Sequence, residues 1–177
     1  MTLAIHPIDD LRAARADLLG ALQGCTPIDL LVYDDENAWC GRDTLLHMTA
    51  CLHDLAALIV DLAVYGCQRG PNAAGGREVR GMGRVGPGVE DGQRSVRPEC
   101  AVASLVTAHA RLLSLAEGLD ERQLWRRGLT RAGTEISGWE LLLAEAAHER
   151  EHAARLGSRS PWSKAVCRGP VPLLHAS

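Results

Sequence analysis

The sequence predicts an all-α fold, a four-helix bundle, on three observations. Four segments repeat apolar residues with the period of an α-helix. The 46% hydrophobic fraction is dominated by Leu, Ala and Val, with no Phe and two Tyr; Ala and Leu are good helix formers, and the aromatics that enrich strands are scarce. A long glycine-rich link separates the second periodic segment from the third, as a bundle with one crossover connection requires. At 177 residues the chain is one domain with room for a real core. Residues 1–157 are assigned to the bundle and 158–177 to a C-terminal tail.

The first helix is expected over 8–23. Leu11, Leu18 and Leu22 share one stripe, and Asp9 and Asp10 occupy the first turn, where the helix dipole favours acids. Gly24 and then Thr26-Pro27 end it. The second runs over 41–65, with Leu45, Met48, Leu52, Leu55, Ile59 and Leu62 on the repeating face. The link 66–99 follows, holding nine of the eighteen glycines and no periodicity. It suits a crossover between helices or a mobile flap beside a site. Its Gly81–Gly86 stretch, GMGRVG, spells a dinucleotide-binding fingerprint. That reading needs a strand before it and a helix after it, and Pro87-Gly88 follows instead.

The third helix is expected over 100–118, with Val102, Leu105, Val106, Leu112, Leu113 and Leu115, ending at Gly118. A short helical piece is expected near 120–126. The fourth core helix spans 136–156 and stops at Gly157, with Pro161 beyond. No strand is expected anywhere.

Charge and cysteine usage narrow the function. A net charge of −3 argues against a nucleic-acid partner, which a basic excess would mark. The six cysteines form no C-x-x-C pair. The start, MTLAIHPIDD, lacks the basic and apolar runs of a signal peptide, and no apolar stretch is expected to reach the roughly 20 residues of a membrane span. A cytoplasmic protein with no membrane partner is expected.

The chemistry concentrates in HEREH, residues 148–152, a literal H-E-x-x-H. His148 and His152 stand about 40° apart around the helix and about 6 Å apart along it, so both imidazoles can reach one ion. Leu141, Glu145, His148 and His152 fall on one stripe, which turns the pair inward. A buried pair of imidazoles without a metal or other partner would be costly. The bland alternative is two half-exposed histidines on a charged helix. His47, one turn into the second helix and beside Leu45 and Met48, can face the pair from a neighbouring helix. Three imidazoles leave coordination positions open, the catalytic rather than the structural arrangement.

Other residues are weighed beside these. Glu145 can orient a ligand histidine or act as a base. Cys51, one turn after His47, is a possible fourth ligand or a small buried thiol. Asp43 is expected to cap the second helix. Glu149, about 100° from His148 around the helix, is expected at the surface, and His53 and His109 are read as structural. Trp39 and Trp139 each precede a histidine-bearing helix, where they can cover the bundle's end or touch a substrate.

WCGRDTLLHM, residues 39–48, resembles the tryptophan, helix start and histidine that open the second helix of DinB/YfiT-like proteins. GWELLLAEAAHEREHAARL, residues 138–156, resembles their last core helix with its H-x-x-x-H. The resemblance spans roughly 8–157. It implies a four-helix bundle, often dimeric, with a divalent metal, zinc or nickel, held by His47, His148 and His152. It also implies a metal-dependent transferase acting with a low-molecular-weight thiol on an electrophile; the 66–99 loop and Arg126, Arg127 and Arg131 are then candidates for the thiol's anionic part. One alternative is a stress-associated metal-binding protein without turnover. Another is a zinc hydrolase of the H-E-x-x-H type with Glu149 as base, whose downstream third ligand would have to be His175.

Overall fold

The computed structural model describes residues 6–34, 39–65, 95–129 and 134–157. The GMGRVG stretch, Arg131, His175 and the tail 158–177 lie outside them. Helix α1 spans Pro7–Gln23, α2 Gly41–Tyr65, α3 Pro98–Glu117, the short α4 Glu121–Leu124 and α5 Gly138–Gly157. These are the expected helices with boundaries moved by a residue or two. The core joins Leu11 and Leu18 of α1, Leu45, Met48, Leu52 and Ile59 of α2, Leu105 and Leu112 of α3, and Leu142 and Leu156 of α5.

Side-chain pairs fix the helix directions. His6 meets Trp139 and Arg150 meets Asp10, so α1 and α5 run parallel. His47, near the start of α2, meets His148 and His152 in the second half of α5, so α2 opposes α5. Glu117, at the end of α3, pairs with Arg12 near the start of α1, so α3 opposes α1. Helices α2 and α3 are therefore parallel and packed together. Parallel neighbours require a connection that returns the chain to the bundle's other end; the path of residues 66–94 itself lies outside the described residues.

Two corrections concern local structure. Tyr33–Asp34 (β1) pairs antiparallel with Trp39–Cys40 (β2), and Arg127–Leu129 (β3) pairs with Glu135–Ser137 (β4). Strands of two or three residues are too short for an alternating pattern to register in sequence. In addition, α2 and α3 are each long and apolar enough, by length and composition, to cross a membrane. Scattered polar residues hide this when only uninterrupted apolar runs are sought. In the bundle their apolar stripes face the shared core.

The helix that carries the histidine pair starts on a capping box. The Glu140 carboxylate accepts from the Ser137 backbone N–H at 2.8 Å, and Ser137 Oγ accepts from the Glu140 N–H at 3.2 Å. At the start of α2 the Asp43 carboxylate accepts from the Cys40 N–H at 3.4 Å, close to the capping role expected of it. Asp43 also holds the buried Arg42 through Nε and Nη2, at 3.1 and 3.0 Å, a pairing the sequence did not suggest.

Candidate metal centre

His47 is carried by the second turn of α2, and His148 and His152 by successive turns of α5. The antiparallel packing of the two helices brings the three rings to one end of the bundle. One ring nitrogen from each lies within 4.8 Å of the others. The Nε2 atoms of His148 and His152 are 2.9 Å apart. Two nitrogens bound to one zinc at about 2.0–2.1 Å would stand roughly 2.9–3.4 Å apart for right-angled to tetrahedral arrangements. The α5 pair therefore fits a shared ion as it stands, and His47 needs only a small approach. The rings are half-buried at His47 and His148 and buried at His152.

The surroundings give each ring a different proton affinity. Burial lowers the pKa of His47, and the neighbouring His148 adds to this while Glu145 opposes it. His148 is raised, first by its hydrogen bond to Glu145. That carboxylate, only 1% exposed, has Oε1 3.5 Å from His148 Nδ1, so it faces the side of the ring turned away from His152. Cys51 Sγ lies 3.6 and 3.8 Å from Nε2 and Nδ1 of His47. Burial, with Glu145 and Asp54 adding to it, pushes this thiol up to about 12, which keeps it neutral. The mutually close set of donors is the three imidazoles, without Cys51.

The two tryptophans part company. Trp39, placed by the β1–β2 ladder, meets the His47 ring edge-to-face at 5.0 Å. Trp139 instead stacks on Trp125 at 4.8 Å and meets His6 at 4.9 Å. It stands nine residues, about 13 Å along the helix, before His148. The structure brings Trp39 to the histidine cluster and leaves Trp139 at the other end of the bundle.

Two of the arginines offered for an anionic thiol, Arg126 and Arg127, are also at that other end. Arg126 donates to the Ala63 carbonyl, sixteen residues, or about 24 Å, along α2 from His47. Arg127 pairs with Glu135 and Glu140. Neither reaches the histidines, because the segment after α4 packs against the end of α2 rather than its start.

Glu149 overturns its expected surface position. It is fully buried, and its two carboxylate oxygens lie 2.6 and 2.8 Å from Nε2 of the equally buried His109. Burial raises the Glu149 pKa, and the hydrogen bond to His109 opposes that rise. So engaged, Glu149 is not poised over the cluster as the base of an H-E-x-x-H protease. A signal for the pair was present in each helix. Glu149 continues the buried row Leu142, Ala146, Ala153, Leu156, and His109 continues Leu105, Leu112, Ala116. Polar residues in apolar rows need partners.

No protein-family model matches the sequence, and no curated protein matches it. Among solved structures, YfiT from Bacillus subtilis, described as a probable metal-dependent hydrolase with an unusual four-helix bundle topology, superposes with a TM-score of 0.64 at 16% identity, over 85% of this chain and 81% of that one. The chain has the YfiT-type four-helix-bundle fold.

Proposed function

We propose that His47, His148 and His152 hold a divalent metal ion, zinc or nickel, and that the protein is a metal-dependent hydrolase. The observation that carries this reading is the convergence of three ring nitrogens from two helices within 4.8 Å. When bound, such an ion supplies Lewis acidity and a lowered pKa for a small nucleophile. The chain supplies the rest. Glu145 fixes the Nδ1 side of His148, so that Nε2 presents its lone pair to the site. Trp39 packs edge-to-face against the His47 ring. Cys51 lies outside the mutually close donor set, so the three imidazoles leave positions open for a substrate, the mark of a catalytic centre.

The likeness in fold to YfiT supports hydrolysis. The same donors suit a low-molecular-weight thiol acting on an electrophile, the transferase reading. Among the described residues, Arg126 and Arg127 are engaged at the far end of the bundle and give that reading no support, so hydrolysis is preferred on the likeness in fold.

The test is metal content by plasma mass spectrometry on untagged protein, beside His47→Ala and His152→Ala. About one equivalent in the wild type, lost in both variants, is expected. The metal-loaded and stripped proteins are then compared on a panel of activated esters and amides. Retention of metal without His47 overturns the donor set, and equal turnover with and without metal overturns the hydrolase.

A further inference from the structure

We infer that the buried His109–Glu149 pair is a positioning device for the metal centre, a strut across the bundle that sets the rotation of α5; this rests on the metal-binding reading above. Helix α1 packs on α5 and α2 on α3, with little direct contact between α3 and α5. Those two helices face each other across a diagonal of the bundle. His109 and Glu149 bridge that diagonal, 1% and 0% exposed, with Nε2 2.6 and 2.8 Å from the two carboxylate oxygens.

Position along the helix links the strut to the histidines. Glu149 is the residue after His148 and lies three before His152. Any rotation of α5 that moved its carboxylate off His109 would turn both imidazoles away from His47. The third donor belongs to α2, which packs on α3. The strut therefore ties the helix holding two donors to the partner of the helix holding the third.

The pair is poorly built as a source of stability. His109 Nδ1 is buried with no hydrogen-bond partner among the described residues, and only one ring nitrogen faces two carboxylate oxygens. Replacing such a buried pair by apolar residues of similar volume is often neutral or stabilising, whereas the directional contact is lost. A geometric role accounts for a pair in that position better than an energetic one. Outer partners that orient a site typically change metal affinity by about 10–100-fold when removed.

The experiment uses Co(II) as the probe on the full chain, with thermal melts, titration and the visible d–d spectrum recorded for each protein. The double variant His109→Leu/Glu149→Leu is expected to melt cooperatively at or above the wild-type temperature. It should bind Co(II) about 10–100-fold more weakly with an altered spectrum. Glu149→Gln keeps an acceptor for His109 and should restore wild-type affinity and spectrum. Unchanged affinity and spectrum in the double variant overturn the inference. So does a double variant that fails to fold, which makes the pair a folding determinant. Wild-type protein that binds no Co(II) overturns the metal reading itself, a separate result.

Discussion

Trp39 meets His47 edge-to-face with ring centroids 5.0 Å apart, while Trp125 and Trp139 stack on each other at the opposite end of the bundle. Among the described residues, one indole thus reports on the candidate metal centre and two do not. Binding of Ni(II) or Co(II), whose open d shells quench nearby indoles, should remove a fraction of the tryptophan emission. Trp39→Phe should abolish that loss without changing metal content. Quenching that survives in both Trp39→Phe and Trp39→Phe/Trp162→Phe would put the ion elsewhere.

The box at the start of α5 should make its contribution depend on acid. The backbone and side-chain hydrogen bonds from Ser137 hold the Glu140 carboxyl below its ordinary value of 4.5. A carboxyl depressed by folding stabilises the native state above its unfolded pKa, and that help fades as pH falls through the folded one. Urea midpoints of wild type and Glu140→Gln should differ at neutral pH and converge in acid below that value. Ser137→Ala, which removes the buried side-chain half of the box, should cost about 1 kcal/mol at neutral pH. A constant offset between wild type and Glu140→Gln across the acid range would refute the ionic contribution.

Gly128, in the middle of β3, admits a methyl group only if the end of the Leu62 side chain shifts. A Cβ there would stand 2.3 Å from Leu62 Cδ2, on a core residue near the end of α2. Gly128→Ala should destabilise by about 1 kcal/mol or less as the end of Leu62 is displaced, and Leu62→Val in the same chain should recover part of the loss. Metal content should be untouched, since fifteen residues, about 22 Å of helix, separate Leu62 from His47. An alanine variant as stable as wild type would show that Leu62 adjusts freely.

Arg127 pairs with Glu135 and Glu140 on an exposed surface, where such contacts are worth about 0–1 kcal/mol. Arg127→Ala should leave metal content, ester turnover and any thiol transfer as in wild type. A selective rise in the KM for an anionic thiol would reinstate this arginine as a substrate contact.

The helices and the His148–His152 pair are legible because both follow from period and spacing, while His47 joins the pair through the resemblance of WCGRDTLLHM to a known helix start. Apolar rows gave α1, α2, α3 and α5 to within a residue or two, and the four-residue separation of His148 from His152 gave a pair on one face. The angle between Glu149 and His148 alone places Glu149 at the surface. Measured against Leu142 and Ala146, it lies in a buried row. The partner of His109 comes from across the diagonal of the bundle, which no local pattern in α3 conveys. Trp139 shares with Trp39 a place at a helix start. The two starts lie at opposite ends, because α2 and α5 are antiparallel, and no local pattern conveys that. The pairing of Arg126 with the Ala63 carbonyl is likewise a long-range fact.

The pairing of α1 with α5 also bears on how the chain is made. At about 5–20 residues per second, His47 leaves the ribosome several seconds before His148. Through that interval the apolar face of α1, with Leu11, Ala14 and Leu18, lacks the helix that covers it in the finished fold. Neither the core nor the histidine cluster can close until α5 emerges. A nascent chain stalled before residue 138 therefore offers a sticky helix to chaperones and lacks two of the three histidines, so loading of an ion on this cluster would wait for α5.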